Sequence, residues 1–144
     1  MTAAGTTLTH RLYVDHTRAH YGGNLVDGAH VVGLFGDAAT DLCLSQDGDE
    51  GLLASYSDVT FHAPLRVGDV LEVSVTVTRI GHRSRTLFFE AHVVARSCRE
   101  RGPSAGEVLA SPLLVVSAQG TVVVPEVTRT ESGATEHNNE KGPL

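Results

Sequence analysis

The stretch His20-Tyr21-Gly22-Gly23-Asn24-Leu25-Val26-Asp27-Gly28-Ala29 runs straight into an apolar segment from His30 to Leu44, and its reading decides the fold. The pair Gly22-Gly23 allows close backbone approach, because no Cβ stands in the way. Asn24 is a good N-cap ahead of a periodic apolar run. From Leu25 onward apolar residues fall nearly all round a helical projection, which is the composition of a buried helix rather than a surface one. The stretch therefore predicts a glycine-rich loop feeding a single long helix that starts at Leu25 and ends near Ser45, before the acidic turn Gln46-Asp47-Gly48-Asp49-Glu50-Gly51.

A narrow polar stripe interrupts the apolar surround. Asp27, His30, Leu34, Asp37 and Asp41 recur at helical spacing and share one face. The stripe is either the solvated side of the helix or the wall of a cleft. Asp27 in the first turn suits the helix dipole whatever its function. Asp37 is a poor helix former between Phe35 and Ala38, and burial there would raise its pKa towards that of a general base.

Outside this segment the period is two. Leu8 to Val14, Leu53 to His62, Val70 to Ile80, Arg85 to Ser97 and Leu113 to Val124 read as strands, the last broken near Gln119-Gly120. In the second of these, alternation assigns Ser55, Ser57, Val59 and Phe61 to one face and Tyr56, Asp58, Thr60 and His62 to the other. One long helix plus successive strands is an α+β arrangement, in which a curved, mostly antiparallel sheet wraps the helix and a second subunit completes the cover. Residues 1–125 form a single domain. From Glu126 to Leu144 apolar residues nearly vanish, and the composition predicts a flexible C-terminal tail.

The formal net charge of −6 argues against a nucleic-acid partner. No apolar run approaches the length of a membrane span, and Met1 to Thr9 lacks the pattern of a signal peptide, so a cytoplasmic location is the expectation. Cys43 and Cys98 are too few for a disulfide framework and lack metal-type spacing. Arg79, His82, Arg83 and Arg85 cluster at a predicted hairpin tip, either solvated or in contact with the phosphates of a nucleotide-bearing ligand.

The blocks Ala19 to Ala29, Leu34-Phe35-Gly36-Asp37-Ala38-Ala39-Thr40 and Asp47-Gly48-Asp49-Glu50-Gly51-Leu52 resemble the 3-aminoacyl-CoA ammonia-lyases, the 3-aminobutyryl-CoA and β-alanyl-CoA enzymes of the hotdog superfamily. A looser match continues through Phe61-His62-Ala63-Pro64, Gly68-Asp69, Ser84-Arg85 and Phe89-Glu90-Ala91. The resemblance implies a hotdog fold with active sites between two subunits, and reversible elimination of ammonia from a 3-aminoacyl thioester to give a 2-enoyl thioester. That chemistry needs a base for the C2 proton and donors for charge on the thioester oxygen.

On this reading Asp37 is the base, and His20 or Tyr21 handles the amine side. The backbone N–H groups of Gly22, Gly23 and Asn24 cradle the oxygen at the helix start. Asp27 and Glu50 are candidates for the substrate ammonium, and Arg83 and Arg85 for CoA phosphates. No metal and no cofactor is expected beyond the CoA or phosphopantetheine that the substrate carries. The expected partners are an acyl-CoA or acyl-carrier thioester and further copies of the chain, with no nucleic acid and no membrane. The alternatives are an acyl-CoA or acyl-carrier thioesterase on the same fold, and a non-catalytic acyl-CoA binding module.

Overall fold

The computed structural model describes residues 3–126. Apart from Glu126, the tail expected from the composition lies outside the described residues. The chain runs β1 (Thr7–Tyr13), β2 (Ala19–Tyr21), β3 (Leu25–Val26), α1 (Gly28–Asp47), β4 (Leu52–Phe61), β5 (Leu65–Arg66), β6 (Val70–Ile80), β7 (Ser84–Ser97) and β8 (Gly106–Val123). Five strands form one antiparallel sheet in the order β1-β6-β7-β8-β4, and β2-β3-β5 form a small second sheet. This is the expected α+β architecture, with α1 packed on the larger sheet.

The core follows from the two periodicities. On β6 the alternate residues Leu71, Val73, Val75 and Val77 are fully buried, and on β7 so are Leu87, Phe89, Ala91 and Val93. They meet Val31, Phe35, Ala38, Ala39, Leu42 and Cys43, which recur along one side of α1 at helical spacing. The Phe35 and Phe89 rings stack with centroids 4.9 Å apart, and Tyr56 closes edge-on to Phe89 at 5.8 Å.

Several expectations are corrected. The helix begins at Gly28 rather than Leu25, and Asp27, not Asn24, occupies the N-cap. Leu25–Val26 instead pairs with Ala19–Tyr21 on one side and Leu65–Arg66 on the other. The turn between β2 and β3 needs left-handed backbone at Gly23 (φ 74°) and Asn24 (φ 63°), which glycine and asparagine adopt at little cost. Helix and hairpin competed for the same residues, and strand pairing won.

The faces of β4 also differ from simple alternation. Its register on β8 slips between Leu53 and Ser55, and again between Ser57 and Thr60, where Asp58 has φ 53°. Each bulge inserts one residue and flips the side-chain alternation. As a result Leu53, Tyr56 and Phe61 all turn towards the helix side.

The break expected in β8 is absent, and the strand runs from Gly106 to Val123. Gly120 is accommodated rather than disruptive. A Cβ there would stand 2.9 Å from the Phe89 ring and 3.3 Å from the Ser55 carbonyl, so the glycine lets the aromatic core close against the sheet.

Candidate active site

A cleft of about 790 Å³ opens at the N-terminus of α1. The β2–β3 hairpin supplies His20, Tyr21, Leu25 and Val26. The helix start supplies Asp27, Gly28, Ala29 and Val31, while the end of β4 and the segment after it supply Phe61, His62, Ala63, Pro64 and Leu65. The strand pairs Leu25 with Arg66 and Val26 with Leu65 hold two of these walls together.

Within the cleft the His20 and Tyr21 rings meet edge-to-face with centroids 4.6 Å apart, and Tyr21 is exposed. Asp27 is the N-cap, yet its side chain accepts no capping hydrogen bond. The half-buried carboxylate is thus left facing ligand space instead of satisfying the helix. The backbone donors of the first helical turn, at Gly28 and Ala29, have no carbonyl one turn earlier to bond, and the dipole is positive there. His62 hydrogen-bonds Ser117 Oγ through Nε2 at 2.8 Å, which fixes one ring nitrogen and leaves the other for the cleft.

A smaller cavity of about 380 Å³ adjoins the cleft through His20, Asp27 and Ala29 and adds Arg18 and His30. Burial pushes the His30 pKa below its usual 6.5, and the Arg18 guanidinium pushes in the same direction, against the carboxylates of Asp27 and Asp15.

Of the sequence candidates, His20, Tyr21 and Asp27 therefore come together. Gly22, Gly23 and Asn24 stand in the turn before β3, not at the helix start where the oxygen cradle was expected. Gly23 and Asn24 line a separate cavity of about 440 Å³ with Arg66, Arg96 and Arg99.

Asp37 lies ten residues beyond Asp27, about 15 Å along the helix axis. Contrary to the burial on which its expected role as base rested, Asp37 is exposed, although its neighbour Ala38 and Phe35 two residues earlier are buried, since consecutive helical residues point about 100° apart. Its carboxylate acts on Tyr56. Burial raises the pKa of that phenol and the Asp37 carboxylate raises it further, while Tyr56 Oη donates to the Val32 carbonyl at 2.9 Å.

Glu50 and the two arginines belong to the opposite end of α1, about 30 Å away by helix length. Arg85 is consumed there. Its guanidinium donates to Asp47 Oδ1 at 3.2 Å and to the carbonyls of Ser84 and Gly81 at 3.1 and 3.4 Å. Arg83 is exposed at the β6–β7 hairpin tip, and Glu50 is exposed after the helix. Neither belongs to this chain's cleft.

Phe61 and His62 were missed as site residues. Alternation puts Phe61 on the face opposite Tyr56, and only the bulge at Asp58 turns it towards the helix.

The sequence profile of the thioesterase superfamily matches residues 12–100, a span that includes the hairpin, the helix and the strands around the cleft. The chain belongs to the hotdog thioesterase superfamily. Within it, the chain is 48% identical over 108 residues to the 3-aminobutyryl-CoA ammonia lyase of Acetoanaerobium sticklandii, a match covering 75% of this chain and 86% of the relative. This hotdog chain is also similar to the solved structure of the β-alanyl-CoA:ammonia lyase of Clostridium propionicum, with a TM-score of 0.79 and 35% identity over 85% of this chain and 87% of the other. A hexameric hotdog fold thioesterase of Campylobacter jejuni matches with a TM-score of 0.67 at 18% identity, covering 84% and 83% of the two chains, a likeness of fold alone. Among the described residues no helix is long and apolar enough to cross a membrane.

Proposed function

We infer that this chain is a 3-aminoacyl-CoA ammonia-lyase, which eliminates ammonia reversibly from a 3-aminoacyl thioester to give a 2-enoyl thioester. The observation that carries this reading is the 48% identity over 108 residues to a 3-aminobutyryl-CoA ammonia lyase. Its geometry suits the reaction. The Gly28 and Ala29 N–H groups offer donors to the thioester oxygen, where charge grows as the C2 proton leaves. The uncapped Asp27 carboxylate offers a partner to the C3 ammonium. As the base takes the C2 proton, the C2–H electron pair forms the C2–C3 double bond, the C3–N bond breaks, and the ammonium nitrogen leaves as ammonia with the pair of that bond. His20 and Tyr21 flank the amine side.

The base is Asp37, acting across a subunit interface. Two observations support this arrangement. Asp37 is exposed beside Tyr56 on the β4 side of α1, and β4 is an open edge of the main sheet with Leu52 and Val59 exposed. Exposed apolar edge strands invite pairing with a second copy. Antiparallel pairing of two β4 edges, centred between Tyr56 and Phe61, would bring each Asp37 to the Phe61 end of the other copy's cleft. Hotdog dimers are the building block of the oligomer we propose. The acyl-CoA substrate and the two unpaired thiols, Cys43 and Cys98, support a cytoplasmic setting.

Supplying 3-aminobutyryl-CoA to the purified chain tests the reaction. Release of ammonia together with enoyl thioester absorbance is expected, and hydrolysis to free CoA would instead mark a thioesterase.

A further inference from the structure

We propose that Phe61, seated on Gly28, is the residue that sets acyl-chain length in the cleft, an inference that rests on the acyl-thioester reading above. A Cβ built on Gly28 would stand 2.7 and 2.8 Å from Phe61 Cδ1 and Cζ, and closer still to Cε1. The ring is thus in direct contact with the Gly28 backbone, over the first turn of α1. Only glycine permits this approach, since any side chain there would displace the ring.

The consequence is geometric. A thioester oxygen bonded to the Gly28 and Ala29 N–H groups has its C2 and C3 carbons within van der Waals reach of a ring lying on that same turn. Pro64, Leu65, Val116 and Val31 continue the apolar wall beyond the ring. The C3 substituent of the substrate therefore meets Phe61 first. The ring is 59% exposed, so its role in the fold is slight and its contact surface belongs to the cleft. Its direction is set by the bulge at Asp58, which turns residue 61 to the same side as Tyr56.

The test is the chain-length profile of Phe61→Ala. With ammonium as co-substrate, the ratio of kcat/KM for 2-octenoyl-CoA over crotonyl-CoA should rise about tenfold or more, because one or more methylenes find space the ring occupied. In parallel, titration calorimetry with butyryl-CoA and octanoyl-CoA reads the same preference without any chemistry. The binding ratio should shift in the same direction. Gly28→Ala alone should lower kcat/KM for crotonyl-CoA, and in the Phe61→Ala background it should add little further loss, since the clash partner is gone.

An unchanged chain-length profile in Phe61→Ala, in turnover and in binding, overturns the proposal. So does wild-type protein that binds neither acyl-CoA. Acyl-CoA binding with a shifted profile but no lyase turnover would leave the role of Phe61 standing and refute the reaction.

Discussion

The Arg96 guanidinium clamps the buried Asp69 carboxylate through two hydrogen bonds of 2.9 Å, Nε to Oδ1 and Nη2 to Oδ2. Asp69 also accepts the Arg66 backbone N–H at 2.8 Å, and Arg96 donates to the Pro64 carbonyl at 3.1 Å. One carboxylate thus ties β5, which forms part of the cleft floor, to β7 of the main sheet. Asp69→Ala removes it and strands a half-buried guanidinium. Loss of one partner of such a pair costs about 3–5 kcal/mol. Urea denaturation should show that loss, and a change below about 1 kcal/mol would mean that the pair does not join the sheets.

Arg85 gives a prediction of the opposite kind. Its salt bridge to Asp47 anchors the C-terminal end of α1 to the β6–β7 hairpin, with both side chains largely buried. Arg85→Ala should lower stability by about 2 kcal/mol, the scale of hydrogen bonds to a charged group, and leave KM for acyl-CoA unchanged. A raised KM at unchanged stability would return Arg85 to phosphate binding.

If Asp37 serves the cleft of a second copy, its loss is rescued in trans. Asp37→Asn and His20→Ala homo-oligomers should each be about 10²–10⁴-fold slower than wild type in kcat. Mixed and exchanged, they form dimers with one intact site and should regain about one quarter of wild-type turnover. Mixtures no more active than their parents would exclude a shared site.

His30 gives the acid limb of stability a specific source. Burial depresses its pKa below 6.5, so below that value the unfolded chain binds a proton that the folded chain resists. The contribution of His30 is fully present above about pH 6.5 and is lost as the pH falls through its folded value. Thermal melts between pH 7 and pH 5 should therefore drop less steeply for His30→Gln than for wild type. Parallel melting curves would rule His30 out.

How much of this was legible in the sequence depended on how local the deciding interaction was. The alternation of Leu71, Val73, Val75 and Val77 announced β6, because both packing and pairing there obey the period of two. His20, Tyr21 and Asp27 lie within eight residues, and any compact path keeps them near one another. The helix start was not legible. Leu25-Val26 fits an apolar helix as well as a strand, and its partner Leu65-Arg66 lies forty residues away. Phe61 was hidden for a different reason. A bulge at an ordinary-looking Asp58 reverses which side of β4 faces the helix, and no period reveals it. Glu50, Arg83 and Arg85 were candidates through the resemblance and the basic hairpin cluster, and a 20-residue helix separates that end of the chain from the cleft of the same copy.

The most direct test of the central reading is to incubate the protein with crotonyl-CoA and ammonium and follow two signals together, enoyl thioester absorbance and free thiol. Falling absorbance with no thiol released is the expected result, with a product heavier than crotonyl-CoA by one ammonia. Stoichiometric thiol release would make the chain a thioesterase, and no change in either signal would leave the lyase reading without support.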